Sequence, residues 1–146
     1  MPTDVFGDLQ EWGCVLNRLD DLRKAGVLDD HQSGLARLIR YQHNWRVQQE
    51  ALLAAACVSR PVEPLIHATA KVLDDREAIL ENRILAARAL GSLLSCLQSG
   101  EDGLTCEAGS AALVMKAVLA DGGPPILQRA VEAACKKAGF LPQTVE

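Results

Sequence analysis

The segment VLDDREAILENRILAARALGSLL, residues 72–94, constrains the fold more than any other part of the chain. Two aspartates mark a turn, and Ile84, Ala87, Leu90, Leu94 and Leu97 then recur at helical spacing on one face. A strand would alternate with period two. A run this long in alanine and leucine, the strongest helix formers, does not. Gly91 inside the run weakens the helix, but its missing side chain permits a neighbour to come close.

Whatever covers this helix has to do so almost without rings. Aromatic residues are 3% of the chain while hydrophobic residues are 49%, so the core is Leu, Val, Ile and Ala. That composition favours closely packed helices over a sandwich. The 146 residues suffice for one domain with a real core, and residues 1–146 read as a single all-helical domain.

Local signals divide the chain into about seven helices. Asp8 followed by Glu11 resembles a capping box, and Trp12, Val15, Leu16, Leu19 and Leu22 form a stripe that Gly26 ends. Residues 8–25 are therefore expected to form an N-terminal capping helix. Asp30 starts the next helix, with Leu35, Leu38 and Ile39 inward, and residues 41–44 form a turn from which Asn44 caps a helix reaching residue 58. Pro61 and Pro64 suit only a helix start, and Leu65, Ile66, Thr69, Val72 and Leu73 supply that helix's buried stripe. Residues 77–97 form the longest helix and residues 98–109 the one long irregular segment. DGGPP, residues 121–125, separates two final helices, the last closed by Gly139 with Phe140 folding back. The helices pair as 33–59, 61–97 and 108–139. Their second members carry AAAC, LLSC and EAAC, which place Cys57, Cys96 and Cys135 at a repeated spacing of 39 residues. The expected architecture is all-α, either a right-handed stack of helical hairpins or an irregular multi-helix bundle.

The middle pair resembles the HEAT and armadillo-like repeat family. Pro64 takes the place of that family's proline, Asp74 or Asp75 its turn aspartate and Arg83 its arginine. Ala86, Ala87, Ala89, Leu90 and Gly91 match its Ala-Leu-Gly packing run. The resemblance covers roughly residues 61–97 and departs in a longer turn; in the flanking pairs Gln49 and Gln128 fall near the arginine position. It implies that the aspartate and arginine tie adjacent repeats together through their turns, and that the chain is a binding scaffold.

Chemistry-bearing motifs are sparse. The formal net charge is −4, and a mild cluster of Arg37, Arg40, Arg46 and Arg60 is not the basic excess of a nucleic-acid track. No GxGxxG, GxxxxGK[ST] or HExxH pattern occurs, so no catalytic, cofactor or metal residue is assigned. His67 lies four residues from both Glu63 and Lys71 and reads as part of an exposed helix face. Five cysteines, an odd number without CxxC spacing, read as reduced thiols, with Cys57, Cys96 and Cys135 buried and Cys106 exposed. No signal-peptide pattern and no apolar run of about 18 residues occurs, so an intracellular, cytoplasmic location without a membrane span is expected.

The candidate protein-binding residues are Arg40, Tyr41, Trp45 and Arg46, from the ring- and arginine-rich turn RYQHNWR, together with Asp74 and Asp75. The leading expectation is a non-enzymatic adaptor or assembly subunit that binds another protein. The alternatives are a small helical enzyme whose site assembles from distant residues, and a homo-oligomeric structural protein.

Overall fold

A computed structural model describes residues 6–41, 43–98 and 106–138. Among the described residues the chain is all-helical, with seven α-helices and no strand. They are α1 (Trp12–Ala25), α2 (Gln32–Arg40), α3 (Trp45–Ala55), α4 (Glu63–Asp74), α5 (Leu80–Gln98), α6 (Cys106–Asp121) and α7 (Pro125–Ala138), with a short 3₁₀ turn, Leu28–His31, before α2.

Several ends follow from local chemistry. Gly26, in the left-handed region at φ 72°, closes α1. Its N–H and that of Val27 donate back to the Arg23 and Leu22 carbonyls, the Schellman arrangement. Asn44 caps α3, its side-chain oxygen accepting from the Arg46 and Val47 amides at 2.9 and 3.2 Å. Pro64 stands in the first turn of α4, where no helical partner is lost.

Other ends depart from the sequence expectation. α1 begins at Trp12 with no side-chain cap, because Asp8 instead accepts from the Gln10 amide in a tight turn. Trp12, expected in the buried stripe, is 51% exposed; Phe6 and Leu9, upstream of the helix, supply buried apolar groups at this end. Arg18 and Arg37 hold that upstream segment by donating to the carbonyls of Phe6 and Gly7. α3 stops at Ala55, which leaves Cys57 outside the helix and exposed. Asp29 rather than Asp30 carries the structural role at the start of α2, its carboxylate accepting from the Ser59 and Arg60 amides across about thirty residues of chain. The expected Gly139–Phe140 closure lies outside the described residues, as does most of the irregular segment 98–109.

The helices pack in two layers. α2 meets α3, α4 meets α5, and α6 meets α7. In addition α2, α4 and α6 touch in succession to form one layer, and α3, α5 and α7 form the other, with α1 laid against α3. α5 is the centre, in contact with α3, α4, α6 and α7. Leu90, Leu93 and Leu94 are fully buried there, each contributing about 1.5–3 kcal/mol by removal from water.

One hydrogen bond recurs in all three hairpins. The fourth residue of the second helix donates to a carbonyl in the last turn of the first, where no helical N–H reaches. Gln48 Nε2 donates to the Ile39 carbonyl at 2.8 Å, Arg83 Nε to the Leu73 carbonyl at 2.9 Å and Gln128 Nε2 to the Val118 carbonyl at 2.8 Å. Gln48, not Gln49, occupies the arginine's place in the first pair. In the middle pair Arg83 bonds within its own hairpin; among the described residues neither Asp74 nor Asp75 pairs with it. Asp75 accepts from the Glu77 amide in the turn, while Arg76 in the same turn pairs with Asp121 at the end of α6, 2.7 Å away. Gln48 continues inward, accepting at 2.8 Å from Asn82, which also donates to the Trp45 carbonyl.

α5 and α7 come close together at Gly91. A Cβ built on Gly91 would lie 2.9 Å from Ala134 Cα and 3.0 Å from its Cβ. Backbone cannot swing aside as a flexible side chain does, so Gly91→Ala should lose about 1–3 kcal/mol of stability to overpacking, outweighing a helix-propensity gain of up to about 1 kcal/mol. Urea unfolding measures the sum, and an unchanged or raised midpoint would contradict this seam.

Candidate functional site

Stacking of α4 on α2 leaves an open cleft of about 550 Å³ on the first layer. Its apolar wall is Ile39, Ala68 and Val72, and its polar lining includes Arg40, Lys71, Asp74 and Asp75. Arg40 ends α2 and the aspartates end α4, so parallel placement of the two helix ends brings together residues 34 apart in sequence. A second hollow of about 240 Å³ lies on the other side of α4, against Ser110, Ala111 and Val114 of α6. His67, Lys71 and Asp74 line both hollows and so form the ridge between them.

The ridge follows from helix geometry. Residues 67, 71 and 74 repeat at intervals of four and three, which keeps them on one face, while Leu65, Ile66, Thr69, Val72 and Leu73 are buried on the other. Thr69 enters that buried face by donating its hydroxyl to the Leu65 carbonyl at 2.8 Å. The cleft's inner end is Gln48, buried by its bonds to Ile39 and Asn82.

Of the residues singled out in the sequence, Arg40, Asp74 and Asp75 converge in the cleft. Tyr41 is half-buried and stacks edge-on against His43, ring centres 5.3 Å apart. Trp45 is 52% exposed, so its ring stands at the surface of the α2–α3 turn and not in the core between those helices. Arg46 faces away from the cleft, into a shallow hollow between α1 and α3 beside Asp20, Arg23 and Glu50, where Arg23 and Glu50 approach to 3.6 Å. Lys71 and Gln48 were not marked as site residues by sequence. Lys71 carried a signal, its place in the exposed row with His67; Gln48 carried none, since its role depends on the packing of three helices.

The chemistry open to this arrangement is binding by mixed charge over an apolar floor. Ser110, His67 and Asp74 share the smaller hollow, the residue types of a nucleophilic triad. Seven residues of helix, however, separate His67 and Asp74 by about 10 Å along the axis, too far for the direct hydrogen bond that would orient the imidazole. Among the described residues no three metal-ligating side chains converge, and no helix is long and apolar enough to cross a membrane.

Comparison with family models, with characterised proteins and with solved structures returned no match.

The thiols divide by position. Cys14 and Cys57 are exposed, Cys96 is intermediate with its Sγ 3.7 Å from the Val58 carbonyl, and Cys135 is buried on α7. Burial raises the Cys135 thiol above its ordinary range; Lys116 pulls it down and Glu132 adds to the rise. The expected burial of Cys57 is thus corrected, and the Cys106 side chain lies outside the described residues. Alkylation of the native reduced protein, followed by peptide mass mapping, should modify Cys14 and Cys57 early and Cys135 only on unfolding. Early labelling of Cys135 would contradict the α7 packing. Because its folded pKa is raised, Cys135 supports stability fully below the thiol's unfolded pKa, and that support fades as pH climbs through the folded value.

Proposed function

We propose that the chain is a non-enzymatic helical scaffold that binds another protein, with the cleft between α2 and α4 receiving a segment of that partner. The observation that carries this reading is the convergence of Arg40, Lys71, Asp74 and Asp75 around one apolar wall. Charged groups of both signs at the edge of an apolar surface fit the polar rim and apolar centre of a protein interface. Trp45, at the turn that leaves the cleft from Arg40, adds an exposed ring of the type that anchors partners.

The recurrence of one bond in three hairpins, and their contact in two successive layers, supports a hairpin-repeat scaffold similar to the HEAT and armadillo-like family. Scaffolds of this kind bind along the open faces of their layers, where no further helix covers the surface. The reducing interior of a cell suits the exposed free thiols of Cys14 and Cys57.

The test uses a partner captured by the wild-type chain from native extract, identified, and then measured by calorimetry. Arg40→Glu with Lys71→Glu should weaken binding roughly tenfold or more, increasingly so at low salt. Trp45→Ala should cost about 2 kcal/mol of binding if the ring is an anchor, while its exposure keeps the loss of folding stability smaller than the 3–5 kcal/mol or so of a core aromatic. Equal affinity of both variants and wild type, all folded by circular dichroism, would remove this surface from the interface.

A further inference from the structure

The second layer carries a groove of its own, about 510 Å³, formed where α7 lies against α5 beside the end of α3. Its character differs from the first cleft. Alanines make its floor, Ala130 and Ala134 among them, and Ile126 stands 56% exposed at its side. Arg88 of α5 and Arg129 and Lys137 of α7 line it, and no acidic residue does. Lys137 is held at the groove by donating to Ser92 Oγ at 3.2 Å. Among the described residues neither Arg88 nor Arg129 has an ion pair.

In a chain of net charge −4, three cations gathered without a counter-charge are a local reversal of sign. Like charges held around one hollow repel, and an anionic occupant relieves that repulsion while gaining charge-assisted hydrogen bonds from the two guanidinium groups. The floor restricts what the anion is. Small apolar side chains and an exposed isoleucine offer apolar contact between the cations. No ring lines the groove for a base to stack on, as single-stranded nucleic acid would use.

We propose that this groove is a second docking surface, taking an acidic segment of a partner protein that interleaves carboxylates with apolar side chains. The carboxylates meet Arg88, Arg129 and Lys137, and the apolar groups lie on the alanine floor and Ile126. Because the groove belongs to the layer opposite the α2–α4 cleft, both surfaces can be occupied together, and the chain can bridge two binding elements. The groove does not depend on the cleft being a binding site.

The test is a titration of the isotope-labelled full chain, followed by amide chemical shifts, with a short peptide of repeated Glu-Glu-Leu units. A Lys-Lys-Leu counterpart and single-stranded oligothymidylate serve as comparison probes. The acidic peptide should shift the amides of Ala56, Arg88, Ala130 and Ala134, and Arg88→Glu with Arg129→Glu should weaken it by roughly tenfold or more. Arg40→Glu, in the other cleft, should leave that affinity unchanged. Helical circular dichroism of each variant separates lost binding from lost folding; a misfolded double variant is replaced by Arg88→Gln with Arg129→Gln, for which a smaller loss of the same kind is expected. Equal binding of the basic peptide, insensitivity of the acidic peptide to both double variants, or oligothymidylate shifting the same amides more strongly would overturn the proposal.

Discussion

The structure depends on one bond made three times. The last turn of a helix leaves carbonyls without helical partners, and burying such a group against another helix costs about 1–3 kcal/mol if nothing answers it. Here Gln48, Arg83 and Gln128 answer it for α2, α4 and α6. Each sits at the fourth position of the following helix, so the bond fixes how far the second helix slides along the first. Two hairpins with the same slide can stack side by side, and the two layers follow. The close seam of Gly91 on Ala134 then sets the approach of α5 and α7, and large side chains are not needed to fill it. A core with few rings is the consequence.

Polar ties at the helix ends do what a larger aromatic core would otherwise do. Asp29 and Gln32 together hold the α3–α4 connection: Asp29 accepts from Ser59 and Arg60, while Gln32 donates to the Arg60 carbonyl and accepts from Val62. Asn82 joins α5 to α3 through Gln48 and the Trp45 carbonyl, although its own Oδ1 is buried without a partner among the described residues. The Asp29 and Gln32 ties hold the starts of α2 and α4, while the Asn82–Gln48 tie lies at the opposite end, beside the ends of α2 and α4 that form the first cleft. Gln48 therefore belongs both to the bonds that set the helix positions and to the cleft.

Much of the fold was legible because its signals are local. The left-handed Gly26, the Asn44 cap, Pro64 in a first turn and the Ile84–Ala87–Leu90–Leu94 stripe each act within a few residues. What sequence could not supply acts over distance. Asp29 and Asp30 are equally good caps on paper, and only the arrival of Ser59 and Arg60 distinguishes them. Trp12 and Cys57 fit apolar runs, but the first stands at the start of α1 and the second just past a helix end. In the site, Arg40 and the two aspartates were each recognisable as exposed charge. Their meeting in one cleft depends on α2 lying along α4. Arg88, Arg129 and Lys137 gave even less warning, since each reads as an ordinary solvated cation until α5 and α7 bring them to one groove.

A shared bond is more directly tested by removing it than by observing its consequences. Gln48→Met, Arg83→Met and Gln128→Met keep a long, flexible side chain but take away the donor. If the bond sets the register of every hairpin, each single variant should lose about 1–3 kcal/mol in denaturant unfolding with an unchanged dependence on denaturant. Gln48→Met should lose the most, because it also removes the acceptor of one of the two Asn82 bonds. A loss at Arg83 alone, with Gln48→Met and Gln128→Met as stable as the wild-type chain, would show that the three hairpins have no common lock.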